Sequence, residues 1–409
     1  MVKKYFLLLF VIFFVTAITF AQKDSVNFGI KFSGFVNGQA YFDSRQTVNS
    51  RDALLLLYPD SVYKDKNGKD LNAVPNLNQV AMKTRFRVDV WGPDAFKAKS
   101  SAAFEADFTG PSSIENNAFR LRHAYVRLDW GKTKLLMGQY WHPFVIYEVQ
   151  PELESLNTGA PFHPYARQPQ IRLDHRIKNF NFVVASSSQR DNVSEGPSGS
   201  SSVYMRNTVI PNTDVQIKYL KNDNIFGVAG DYKMLRPRVK SSLGYKVDEQ
   251  VESFAASVFA KMKFKNFTIK LQGVIGQNLS DLLMLGGYAV RKIADSLTDE
   301  RTYTTINVAS GWVDVATNGK KLQVGIFGGY LKNLGSIYNI RGDYYAKGKD
   351  IAYLYRISPR VIFNSGKVRI ASEIEYTVAA YGTPNSLDDI KNAEEVNNIR
   401  ILLGIYYYF

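Results

Sequence analysis

The chain has 409 residues, a formal charge of +14, no cysteine, and 13% aromatic residues with 25 Tyr and 26 Phe. Without cysteine there are no disulfides and no thiolate metal sites. The basic balance alone would suit nucleic acid or an anionic surface, but the N-terminus points to export, which excludes nucleic acid as a partner.

Lys3 and Lys4 precede an apolar run from Tyr5 to Ala21, with Thr19 and Ala21 at the −3 and −1 positions before Gln22. This reads as a cleaved secretory signal peptide over residues 1–21, leaving 22–409 as one domain. No cysteine follows the run, so a lipoprotein anchor is excluded. Nor does any later window approach about 18 unbroken apolar residues, so the mature chain offers no transmembrane helix.

The mature chain is patterned with period 2. From Phe28 to Asp43, Ile30, Phe32, Val36, Ala40 and Phe42 alternate with Lys31, Ser33, Asn37, Gln39 and Asp43. Met82, Phe86, Val88 and Val90 then oppose Lys83, Arg85, Arg87 and Asp89, and Ala102, Phe104, Ala106 and Phe108 oppose Lys97, Lys99, Ser101, Glu105 and Asp107. Strands with charge on one face only fit a closed barrel with lipid outside and water inside.

Tight turns such as Gly92-Pro93-Asp94-Ala95, Lys178-Asn179 and Ser365-Gly366 carry hairpin chemistry. They alternate with long polar connections around 44–80, 143–168, 190–211, 279–303 and 333–350. This punctuation predicts an all-β fold, a transmembrane antiparallel β-barrel of about 16 strands with short periplasmic turns and long external loops. Trp91, Trp130 and Trp312 are expected at the periplasmic interface, where the amphipathic indole is favoured. The last strand alternates Ile399, Ile401, Leu403, Ile405, Tyr407 and Phe409 against Asn398, Arg400, Leu402, Gly404, Tyr406 and Tyr408. It is expected to pair with the first strand, and a terminal Phe409 suits delivery to the barrel-assembly machinery.

The third external connection, 143–170, holds five of the fourteen prolines together with Glu148, Glu152 and Glu154. Proline lowers the entropy of the free loop, so this segment is expected to fold inward as a constriction. A stiff external cap is the alternative. Beside it, Arg85, Arg87, Lys97, Lys99, Arg120, Arg122, Arg172 and Arg176 make the walls basic. Arg120 and Arg122 share parity with Ala124 and Val126, so either a bulge near His123 or a place in the lumen above the lipid band has to be assumed. In a narrow aqueous tube such groups concentrate anions, and guanidinium binds carboxylate or phosphate in bidentate fashion. Pairing with Glu105, Asp107, Asp129, Asp174, Glu373 and Glu375 is the competing use of the same arginines.

No enzyme signature stands out. The four histidines, His123, His142, His163 and His175, form no metal-ligand pair at helical spacing, and there is no nucleophile elbow, P-loop or dinucleotide fingerprint. His142 beside Pro143 reads as structural, and neither a cofactor nor a metal is expected.

The strings Phe104-Glu105-Ala106-Asp107-Phe108, Phe119-Arg120-Leu121-Arg122-His123-Ala124-Tyr125-Val126, Gly138-Gln139-Tyr140-Trp141-His142-Pro143-Phe144 and Asn157-Thr158-Gly159 resemble the DcaP-like porins, especially their Bacteroidota relatives, over about residues 80–175. The resemblance implies a 16-stranded trimeric barrel with an inward-folded loop and a bias towards small carboxylates or other anions. The N-terminal coiled coil of some members is not matched. The sequence thus predicts an outer-membrane porin, a homotrimer in the lipid bilayer, passing small hydrophilic and preferably anionic solutes. A non-conducting receptor or adhesin and a lipid-active barrel enzyme are the alternatives.

Overall fold

The structure, a computed structural model, describes residues 28–110, 115 and 117–409, so the expected signal peptide lies outside the described residues. In chain order the strands are β1 (Gly29–Asp43), β2 (Thr47–Ser50), β3 (Leu55–Pro59), β4 (Asn76–Val80), β5 (Arg85–Trp91), β6 (Lys99–Asp107), β7 (Arg120–Asp129), β8 (Thr133–Trp141), β9 (Arg167–Ile177), β10 (Phe180–Ser187) and β11 (Asn212–Lys221). They continue with β12 (Asn224–Leu235), β13 (Val251–Lys263), β14 (Phe267–Gln277), β15 (Gly286–Asp295), β16 (Glu300–Thr317), β17 (Leu322–Ser336), β18 (Tyr344–Lys347), β19 (Ile351–Ser365), β20 (Val368–Pro384) and β21 (Ile390–Tyr408).

Neighbouring strands pair antiparallel in sequence order, and β1 pairs with β21 on one side and with β4 and β5 on the other. With β4 and β5 counted as one interrupted strand, the sheet closes as a 16-stranded barrel. Closure removes the open edge that would leave backbone groups unpaired in lipid. The remaining strands lie in the long connections: β2 and β3 form a hairpin after β1, and β15 pairs with β18 and extends β16.

Side-chain alternation follows the expected faces. Ile30, Phe32, Val36 and Phe42 point outward, whereas Asn37, Gln39, Tyr41 and Asp43 are buried inside. Through β21 and the residue after it, every second residue from Ile399 to Phe409 is exposed on the outer surface, and Asn398, Arg400, Leu402 and Tyr406 are buried within. Of the two alternatives for Arg120 and Arg122, the bulge is present, between β6 and β7. Glu105 sits opposite His123 and Ala106 opposite Leu121, so Arg122 is the extra residue. Arg120 and Arg122 therefore face inward before it, and His123 and Tyr125 after it.

Two expectations are corrected. Met82 is not on the outer face, because the chain turns between β4 and β5 and folds this side chain into the apolar cluster of the interior. Trp312 is not interfacial. It lies in the middle of β16 on the inner face, buried against His163 and Phe327. Trp91 and Trp130 are exposed at the short-turn end, with Trp130 Nε1 donating to Phe96 O at 2.9 Å.

Part of the barrel interior is an apolar core. Leu54, Leu55, Leu57 and Tyr58 from the first long connection meet Phe144, Val145, Ile146, Val149 and Phe162 from the third, together with Leu279 and Leu282–Leu285 after β14. Long connections that would otherwise splay into water thus gain hydrophobic burial inside the wall.

Candidate functional site

The connection from β8 to β9, residues 142–166, enters the barrel and is fastened across it. Gln216 of β11 donates to Pro143 O, and Gln272 of β14 donates to Phe144 O at 3.2 Å and meets His163 Nδ1 at 2.9 Å. On the same side Lys218 pairs with Glu148 at 2.7 Å and Lys270 with Glu152 at 2.6 Å. Further round, the Glu152 N–H donates to Asp314 at 3.0 Å, the Glu154 N–H to Glu373 at 2.7 Å, and Asn157 to Glu375 at 2.7 Å. Arg356 donates to Ala160 O and Ser310 to Phe162 O. The inserted backbone therefore finds its hydrogen bonds on side chains of the wall, which is what burial of a loop requires. Gly329 of β17 permits the closest approach: a Cβ there would lie 2.6 Å from Phe162 Cγ.

Between this loop and the wall of β5, β6 and β7 lies a cavity of about 1030 Å³. Eight cationic side chains line it, Lys83, Arg85, Arg87, Arg122, Arg127, Lys261, Lys270 and Arg369, against the four carboxylates Glu105, Glu148, Glu152 and Glu154. Glu105 accepts from Arg122 at 2.7 Å and lies 3.3 Å from Arg87 and 3.7 Å from Arg85. Arg87 also holds Asp89 at 2.6 Å, and Arg122 holds Asp107 at 2.9 Å. Lys83 donates to Glu154 O and to Tyr406 Oη. Arg127 and Lys261 make no ion pair among the described residues; Arg127 stacks over the Tyr125 ring at 5.3 Å. Many of these arginines are therefore engaged by acids, yet the lining retains an excess of positive charge.

The residues singled out from sequence separate into groups. Arg85, Arg87, Arg122, Glu148, Glu152 and Glu154 all line the cavity. Arg172 pairs with Asp174 at 2.9 Å and lines a smaller recess with Tyr140 and Glu148. Arg120 does not line the main cavity. It joins Asp107 at 3.3 Å and Asp191 at 3.4 Å, in a cluster where Arg167 and Arg51 also approach Asp191, at 3.0 and 3.8 Å. Burial alone would raise the Asp191 carboxyl, but Arg167, Arg120 and Arg51 hold it down at about 2. Lys97, Lys99 and Arg176 are corrections: all three are exposed at the short-turn end. Lys97 sits in the turn itself at φ 60°, Lys99 opens β6 opposite Asp129, and Arg176 turns to Lys178 O. A two-residue shift along a strand moves a side chain about 7 Å, which separates these positions from the constriction although their parity is right.

The acids of the loop are also arranged differently from the expectation. They do not stand free before Arg85, Arg87 and Arg172; Glu148 and Glu152 are tied to Lys218 and Lys270 on the far wall, and Glu154 lies 3.6 Å from Arg369. Lys218, Lys261, Lys270 and Arg369 were not singled out from sequence. Inward parity with Gln216 and Gln272 marked Lys218 and Lys270 as interior, but their loop partners are 70 and 118 residues away.

No protein-family model matches the chain, and no curated protein matches it. Among solved structures, the outer-membrane channel DcaP of Acinetobacter baumannii aligns with a TM-score of 0.68 at 15% identity, covering 96% of this chain and 100% of that one. The fold is that of the DcaP channel. Two other similar structures are OmpT, an outer-membrane protein of Vibrio cholerae, and an anion-selective porin from Comamonas acidovorans. Their TM-scores are both 0.55, at 12% and 10% identity, covering 96% and 94% of this chain and 100% of each of those chains. The DcaP-like barrel supplies the frame in which the loop 142–166 and the basic wall face one another.

Proposed function

We propose that this protein is a passive outer-membrane channel for small hydrophilic solutes, with anions favoured, and not an enzyme. The observation that carries the reading is the excess of cations around the cavity, with Arg127 and Lys261 free of carboxylate partners among the described residues. In a water-filled passage with low-dielectric walls such charges raise the local anion concentration. The inserted loop sets the cross-section, and because Glu148, Glu152 and Glu154 are engaged by Lys218, Lys270 and Arg369, the field along it comes from the cations left unbalanced. The porin from Comamonas acidovorans is described as anion-selective, and the same preference is proposed here. Export through a cleaved leader, residence in the outer membrane and assembly as a homotrimer belong to the same reading.

The test is planar-bilayer recording in a salt gradient. Wild-type protein should give a reversal potential of anion-selective sign, and Arg85→Ala with Arg87→Ala should move it towards zero. An unchanged potential removes those two arginines from selectivity. Absence of any conductance would favour a receptor whose interior is filled by its connections.

A further inference from the structure

Three inward-facing residues from distant parts of the chain meet behind the root of the inserted loop. His142 follows β8 and begins that loop, Asp214 is on β11, and Asp231 is its direct cross-strand partner on β12. His142 Nε2 lies 3.7 Å from Asp214 Oδ2 and 3.9 Å from Asp231 Oδ2, and one donor atom from each residue lies within 4.8 Å of the others. Asn212, on the same face of β11, places its amide 3.1 Å from His142 Nε2 and 2.5 Å from Asp231 Oδ2. All four side chains are more than nine-tenths buried.

The cluster is short of positive charge. Lys233, the next inward residue of β12, is committed to Asp281 and to Asn278 O. Asp214 is almost completely buried, yet neither of its carboxylate oxygens has a hydrogen-bond partner among the described residues, and the Asn212 carbonyl oxygen has none either. Buried carboxylates are held by partners or by metal ions. The unsatisfied atoms here are all acceptors, so the missing partner is a cation or a proton. Three ligand atoms converge, one from each carboxylate and one from the imidazole, and make a mixed nitrogen and oxygen set. Calcium and magnesium take oxygen ligands, whereas imidazole with carboxylate suits zinc and its first-row neighbours.

We propose that His142, Asp214 and Asp231 form a divalent-metal site of the zinc class, with the Asn212 amide oxygen turned towards the ion. The metal would staple the root of the inserted loop to the wall of β11 and β12. Ligation through Nε2 leaves the ring proton on Nδ1, which at present accepts from the Phe144 N–H at 3.3 Å. Metal binding therefore exchanges a long capping hydrogen bond for a metal bond, and the histidine tautomer reports it.

The test uses the full chain refolded in detergent with and without Zn²⁺, its metal content measured after dialysis. Wild-type protein should retain one zinc per chain, with the His142 ring in the Nδ1–H tautomer by NMR. Asp214→Asn with Asp231→Asn should retain none, and His142→Asn should weaken binding by at least about tenfold, since even outer-shell changes have effects of that size. Retention of barrel structure is checked by heat-modifiable migration. Should the double variant not fold, His142→Asn decides the matter alone, and unchanged affinity there overturns the site. Equal zinc retention by all three proteins, or none by the wild type, also overturns it and leaves a proton shared between the two carboxyls as the occupant.

Discussion

Asp43 and Arg400 face each other across the seam where the first strand meets the last. Arg400 Nε donates to Asp43 Oδ1 at 2.9 Å, and its terminal nitrogen lies 2.6 Å from Oδ2. Both side chains are fully buried, Asn398 donates to the same carboxylate at 2.8 Å, and the guanidinium covers the Tyr41 ring at 4.6 Å. The closing register of the barrel thus carries a charged pair that only the correct pairing of β1 with β21 satisfies.

Replacing one partner leaves the other buried and uncompensated. Arg400→Met should lower stability by about 3–5 kcal/mol, the range for breaking a buried pair. Arg400→Met combined with Asp43→Leu should recover a large part of that loss. Urea titration followed by heat-modifiable migration measures both, and full additivity of the two changes would dismiss the pair as a seam lock.

Two of the cavity cations without an acid partner among the described residues, Arg127 and Lys261, separate selectivity from stability. Arg127→Gln with Lys261→Gln removes two positive charges without orphaning an acid, so the melting behaviour should stay as in the wild type. Anion-over-cation permeability should fall by roughly twofold or more. Reversal potentials in a potassium chloride gradient provide the measurement, and an unaltered ratio would assign selectivity elsewhere in the passage.

Lys270 fastens the loop through Glu152 and through Gln150 O at 3.2 Å. Lys270→Met should release that stretch, because Glu152 is about half exposed and can hydrate on its own. Single-channel traces should then show larger or noisier openings, with barrel stability reduced by about 1 kcal/mol, as for a half-exposed charged hydrogen bond. Quiet traces of wild-type amplitude would mean that the remaining contacts hold the loop unaided.

The Asp191 cluster predicts acid sensitivity outside the membrane-spanning strands. Its carboxyl titrates near 2 when folded, below the ordinary 3.8. A depressed acid contributes stability that is complete above about pH 4 and is lost as the pH falls through 4 towards 2. The contribution is on the order of 2 kcal/mol. Hydrogen exchange over residues 188–211, taken relative to its intrinsic rate at each pH, should speed up across that window in the wild type. In Asp191→Asn it should be faster already at pH 7 and change little with acid.

The alternation of apolar and polar residues by itself settled most of the architecture. A strand's two faces are fixed by neighbouring peptide units, so the outward set from Ile399 to Phe409 and the inward Asn398 and Arg400 were legible locally. The parity break at Arg120 and Arg122 was legible too, but only the register of β6 against β7 decided for a bulge rather than a position above the lipid band. Parity, however, says nothing about depth along the barrel, which is why Lys97, Lys99 and Arg176 were grouped with residues that lie much further inside. It also says nothing about what fills a lumen: Trp312 was read as interfacial although Phe162 and His163 of the inserted loop bring apolar surface to the inner wall. The pairing of Glu154 with Glu373 and the meeting of His142 with Asp214 and Asp231 were decided only by closure of the sheet. Such contacts join segments from 72 to 219 residues apart, and their energies depend on distances across the tube that no local pattern encodes.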